Sequence, residues 1–145
     1  MSLSQVLNDQ AKKPAIVDDC CELIDSEVAD KGGISGLAIK AGYKVVKGVK
    51  PGFVKQVVSD LLPEFGEALD PIFEEAKTES KPVADFFISN SARVADALLA
   101  ITDAKAAKSK SGLVKGTYEK LRSTAKKNVE AAVPRLGKMI EKHAS

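Results

Sequence analysis

Residues 80–104 read SKPVADFFISNSARVADALLAITDA, and the spacing of their apolar side chains decides the fold class. Val83, Phe86, Phe87, Val94, Ala97, Leu98 and Ile101 form the fullest stripe in the chain, and they keep the three- and four-residue steps of a helix rather than the alternation of a strand. Pro82 suits the opening of a helix, where a missing N–H costs nothing. Ser89-Asn90-Ser91 interrupts the stripe and marks a kink or a fresh N-cap.

The same period runs outward in both directions. Ser2 and Gln5 make a capping-box pattern that opens a short helix reaching to about Lys12. Pro14 sits in the first turn of a second helix with Ile16, Val17, Cys20, Cys21, Ile24 and Val28 as its stripe, and Lys31-Gly32-Gly33 ends it. Residues 35–49 form a basic amphipathic helix. Ile34, Leu37, Ala38, Ala41, Val45 and Val49 share one face, and Lys40, Lys44 and Lys47 fall on the other. Gly36, Gly42 and Gly48 each cost about 0.8–1 kcal/mol against Ala in a helix interior. Close helix approach, a ligand or a break in the helix must repay that.

Pro51 opens the next helix, with Phe53, Val54, Val57, Val58, Leu61 and Leu62 on its apolar side, and Pro63 and Pro71 are expected to chop the acidic segment beyond it into short pieces. Asp70 reads as an N-cap for a piece starting at Pro71. Lys105 to Ser111 reads as a loop. Ser111 then caps a long last helix, striped by Val114, Tyr118, Leu121, Ala125, Val129, Ala132, Leu136 and Ile140 and kinked at Pro134. The fold expected is all-α: six to eight helices in one compact domain over residues 1–145.

Landmarks recur in order and suggest two repeated units, 13–70 and 81–141. Lys13-Pro14 pairs with Lys81-Pro82, Val28-Ala29-Asp30 with Val94-Ala95-Asp96, Ser35-Gly36-Leu37 with Ser111-Gly112-Leu113, Tyr43 with Tyr118, and Leu62-Pro63-Glu64-Phe65-Gly66 with Val133-Pro134-Arg135-Leu136-Gly137.

Charge comes in blocks. Residues 1–30 carry seven acids and two bases, 31–59 six lysines and no acid, 60–79 seven acids and one base, and 105–145 eleven bases and three acids. A formal net charge of +2 therefore hides two basic segments, which face either acidic blocks of the same chain or anionic partners.

Chemistry is harder to find. Two adjacent cysteines and one histidine, His143, leave zinc and nucleophile–base pairs without enough members. Glu64, Glu67, Asp70, Glu74 and Glu75 cluster without calcium-loop spacing. Gly32-Gly33-Ile34-Ser35-Gly36 precedes a helix but lacks the phosphate-loop ending. No cofactor or metal is implied, and the chain is expected not to be an enzyme. No disulfide framework, secretory signal or membrane span is visible, which points to a cytoplasmic protein.

The expected function is binding, with a lipid, acyl chain or membrane surface as the leading partner. Lys40, Lys44 and Lys47 would meet anions, and Leu37, Ala41, Val45 and Phe53 would make apolar contact. The first alternative is nucleic acid, held by Lys115, Lys120, Arg122, Lys126 and Lys127. It is less favoured, because arginines are few and no named recognition module appears. The second alternative is a protein-interaction module whose charge blocks pair between subunits of a homo-oligomer.

Overall fold

The computed structural model describes residues 2–144, and these form seven helices with no strand among them: α1 (Leu3–Asn8), α2 (Lys13–Asp30), α3 (Gly33–Lys47), α4 (Phe53–Thr78), α5 (Val83–Ser89), α6 (Ser91–Ala107) and α7 (Gly112–Ala144). Several boundaries come from local chemistry. The capping box of α1 is made in full: Gln5 N–H donates to Ser2 Oγ at 3.2 Å and Ser2 N–H to Gln5 Oε1 at 2.8 Å. The helix ends earlier than expected, at Asn8. Asn90 divides α5 from α6. Ser111 Oγ accepts from Val114 N–H at 3.2 Å and so caps α7. The expected loop over 105–111 shrinks, since α6 continues to Ala107.

The largest departure is α4, a single 26-residue helix that runs through both Pro63 and Pro71. Each proline withholds an N–H from the carbonyl four residues earlier, at a cost of about 3 kcal/mol. The same helix buries Val58, Leu61, Leu62, Leu69, Ile72 and Phe73. At about 1.5–3 kcal/mol for each large apolar side chain, that burial outweighs two lost rungs. Asp70 consequently caps no new helix. Its carboxylate accepts from Ser4 N–H at 3.0 Å and Ser4 Oγ at 2.6 Å, and ties the first turn of α1 to the middle of α4.

The core joins α1, the start of α2, α4, α5, the start of α6 and the last third of α7. Leu3, Ile16, Leu69, Ile72, Phe87, Val94 and Val133 lie at its centre. Two close crossings shape it. A Cβ on Gly66 would stand 2.9 Å from Ser4 Cα, and a Cβ on Gly137 2.7 Å from Ala84 Cα, so α1 and α5 each sit directly on a glycine of a longer helix. Ala84 N–H, in the first turn of α5, donates to Glu141 Oε2 of α7 at 2.9 Å. This matches what Ser4 N–H does with Asp70.

The opposite end of the molecule is thinly packed. In α3 only Gly36 is buried among the described side chains, and in α7 no residue before Val133 is. Two of the landmark pairs do not occupy matching places in the fold. Lys13-Pro14 begins the 18-residue α2, whereas Lys81-Pro82 precedes the seven-residue α5, and Val28-Ala29-Asp30 ends α2, whereas Val94-Ala95-Asp96 lies near the start of α6.

Candidate functional site

The basic amphipathic helix exists as α3, but its apolar stripe faces outward. Ile34 is 89% exposed, Leu37 68% and Val45 38%, and Ala38 and Ala41 are exposed with them. The face turned inward carries Gly36, Ile39, Gly42, Tyr43 and Val46. Gly42 explains part of this. A Cβ there would come 2.9 Å from Leu121 Cδ1 and 3.2 Å from Thr117 Cγ2 of α7, so its absence lets α3 lie close against that helix. Gly36 likewise lies against the backbone of Lys31, 2.7 Å from its carbonyl carbon to the position of a Cβ. Of the three costs anticipated for glycine, two are therefore met by close approach, and Gly48 ends the helix.

Polar contacts pin the same inward face. Tyr43 Oη donates to Asp25 Oδ1 of α2 at 2.5 Å, and Lys47 Nζ lies 3.8 Å from that carboxylate and 5.1 Å from the centre of the Tyr43 ring. Burial and the adjacent Asp25 push the Tyr43 phenol well above its ordinary range. The other tyrosine repeats the arrangement. Tyr118 Oη of α7 donates to Asp103 Oδ1 of α6 at 2.5 Å, and Arg122, one turn on, grips Asp103 with Nε and Nη2 at 2.8 and 3.1 Å. Arg122 and then Tyr118 hold the Asp103 carboxyl below the usual carboxylate range, and burial, then Asp103, raises the Tyr118 phenol.

The residues singled out from the sequence thus separate. Leu37, Lys40, Ala41, Lys44 and Val45 lie together on the outer side of α3, all exposed, and Lys40 and Lys44 make no ion pair among the described residues. Lys47 is drawn to Asp25 and leaves the group. Phe53, at the start of α4, lines an open cleft of about 250 Å³ with Asp18, Cys21, Asp25, Tyr43 and Lys47. A second open cleft, about 310 Å³, runs between α2 and α7 past Asp19, Glu22, Arg135, Lys138 and Lys142. Charged side chains border both clefts, so neither has the enclosed apolar lining that suits an acyl chain.

The basic set on α7 also divides. Arg122 is committed to Asp103, and Lys126 Nζ lies 3.1 Å from Asp96. Lys115, Lys120 and Lys127 are exposed. Further along α7, Arg135 pairs with Glu27 and with Asp30 (2.5 Å to the latter), Lys142 reaches Asp19 at 3.0 Å, and His143 Nε2 lies 2.6 Å from the same carboxylate. His143 and then Lys142 depress the Asp19 carboxyl. Two of the tail's eleven bases, with His143, therefore answer the acidic first block inside the fold, and two more meet acids of α6. Three of the five acids clustered on α4 are engaged as well: Glu75 pairs with Arg93, Glu74 with Lys77 and Asp70 with Ser4, whereas Glu64 and Glu67 are exposed. No group of three or more potential metal ligands occurs among the described residues. The cysteines are packed rather than poised. Burial, then Cys21 and Asp19, push the Cys20 thiol up to about 12, and its Sγ lies 3.7 Å from Met139 Sδ.

One family matches residues 3–144, almost the whole chain. The chain belongs to the family of unknown function DUF6918. No curated protein and no solved structure matches. Sequence periodicity finds the helix and the lysines but cannot show which side of α3 meets the core. It misses the Tyr–Asp clasps. Their one sequence sign is a tyrosine with a basic residue four positions later, at 43 and 47 and again at 118 and 122.

Proposed function

We propose that this protein is a non-enzymatic binding module that docks reversibly on an anionic lipid surface through the outer face of α3. The observation that carries this is the outward apolar stripe, bordered by Lys40 and Lys44 with no acid anywhere from Lys31 to Ser59. Side chains such as Ile34 and Leu37 are worth about 1.5–3 kcal/mol each when removed from water, a gain the folded chain leaves unused. Lysines at the border of such a stripe can lay their stems along the apolar boundary and keep their ammonium groups among anionic headgroups. Among the described residues no helix is long and apolar enough to cross a membrane, which fits a segment lying in the interface.

The test is co-sedimentation with vesicles made of equal parts phosphatidylcholine and phosphatidylglycerol. Each lysine near an anionic surface contributes about 1 kcal/mol, so Lys40→Glu combined with Lys44→Glu should weaken binding by roughly 30-fold or more. Pure phosphatidylcholine should pull down little. Unchanged sedimentation of the double variant would remove α3 as the docking face.

A further inference from the structure

The helix contacts fall into two series that keep the same chain order. Leu3, Val6 and Leu7 of α1 stand 80 residues before Val83, Phe86 and Phe87 of α5, and five of these six are buried, with Val83 packed against the core. Ile16, Val17 and Asp25 of α2 stand 78 before Val94, Ala95 and Asp103 of α6, the apolar pairs buried and each Asp receiving a tyrosine. Gly42, Tyr43 and Lys47 of α3 stand 75 before Thr117, Tyr118 and Arg122 of α7. Leu62, Pro63, Gly66, Leu69 and Asp70 of α4 stand 71 before Val133, Pro134, Gly137, Ile140 and Glu141 of α7. Both glycines carry a short helix, and both acids accept from the second residue of that helix. The separation falls steadily from 80 to 71 along the chain, as expected when one unit has slightly longer connections. The α3–α4 break over residues 48–52 is the clearest such difference, because α7 runs straight through the corresponding position.

The crossing of α3 with α7 locates the axis. The atoms nearest a Cβ on Gly42 belong to Leu121 and to Thr117, which is the counterpart of Gly42 itself. A position that meets its own counterpart lies on a twofold axis. Two neighbouring helices exchanged by such an axis run antiparallel and turn equivalent faces to the same side. The outer face of α3 must then continue onto the outer face of α7.

We infer that the protein consists of two copies of one helical unit about a pseudo-twofold axis, so that its docking surface is two-part and extends from the α3 stripe onto Leu113, Lys115 and Lys120 of α7. This rests on the lipid reading of α3. Leu113 is the counterpart of Ala38, is 59% exposed, and by the register of the crossing comes level with Val46, one residue beyond Val45 of the stripe. Lys115 is the counterpart of Lys40, so the apolar centre has a lysine at each outer edge, and Lys120 lies near the axis. Glu119 is the only acid from Lys105 to Val129 and occupies the place of Lys44. That charge balance selects an anionic lipid surface. A second copy of this chain docking through the same face would bring the lysines of both copies together.

The chain has no tryptophan, so single-tryptophan variants report without background. Leu37→Trp, Leu113→Trp and, as a control on the exposed side of α4, Glu67→Trp are compared in the full-length protein on titration with the same phosphatidylglycerol-containing vesicles. Emission should shift to the blue for Leu37→Trp and Leu113→Trp and stay fixed for Glu67→Trp. A shift confined to Leu37→Trp would overturn the two-part surface and leave the α3 reading standing. No shift at either position, together with no sedimentation of the unaltered protein, would overturn the lipid reading and this inference with it. As a second arm, Leu113→Asp should weaken sedimentation several-fold while the helical circular dichroism is retained, and full-strength binding by that variant would again overturn the α7 contribution.

Discussion

Glycine has opposite meanings at two places in α7. At Gly137 an added methyl would meet the Ala84 backbone, which cannot move without lifting α5 from its seat. At Gly116 an added methyl meets nothing within 4 Å. Gly137→Ala should therefore lower stability by about 1–3 kcal/mol through overpacking. Gly116→Ala should raise it by roughly 0.4–1 kcal/mol, since it only restricts the unfolded chain and improves helix propensity. Urea unfolding of the two variants beside the unaltered protein checks both signs, and equal effects would mean that the α5–α7 crossing is looser than its geometry indicates. Composition alone could not separate these positions. Both are small residues in one helical stretch, and the distinction comes from a short helix far earlier in the chain.

Between helices, the two Tyr–Asp clasps set how α3 rests on α2 and how α7 rests on α6. They also carry a pH dependence. Asp103 has a folded-state pKa below its unfolded one, so its contribution is complete above the ordinary aspartate value of about 4 and disappears as pH falls through the lower folded value. Asp19, held by His143 and Lys142, acts in the same direction. Thermal melts across acid pH should show the unaltered protein losing stability below about pH 4. Asp103→Asn should be less stable near neutrality and less sensitive to acid, and parallel curves would remove the clasp as a contributor. The raised tyrosines act at the other extreme. Their protonated forms are favoured by the fold, so that stability is present below the ordinary phenol value of about 10 and is lost as pH climbs past it. At this scale the sequence is legible where caps and breaks are local, as at Ser2, Asn90 and Ser111. It misleads where distant packing overrides a local rule. Pro63 and Pro71 look like stops because the lost rung is visible in the sequence, whereas the burial on both sides of each proline that offsets it is not.

Taken whole, the molecule has a dense end and a thin one. Amides of α1, α4 and residues 133–140 lie in or beside the buried cluster, whereas α3 and residues 112–129 have little buried side-chain support. Hydrogen exchange should divide accordingly, with the first set opening only with the whole fold and the second opening locally at lower free energy. Protection of α3 equal to that of α4 would contradict the division. The amphipathic pattern of α3 is plain in the sequence, but a pattern names a face and not its direction. Gly42 against Leu121 and Tyr43 against Asp25 turn the small and polar side inward and leave the aliphatic side out.

α7 joins the two ends. Its 33 residues make a rod of about 50 Å, anchored by Val133, Gly137 and Ile140 and lightly held before them. Pro134 stands at that boundary and denies the carbonyl of Glu130 its usual partner. The rod thus has its most compliant rung where its firm support begins. A load travelling along α7 from the outer end meets flexure at that rung before it reaches α5, while the Arg122–Asp103 clasp passes part of it sideways to α6.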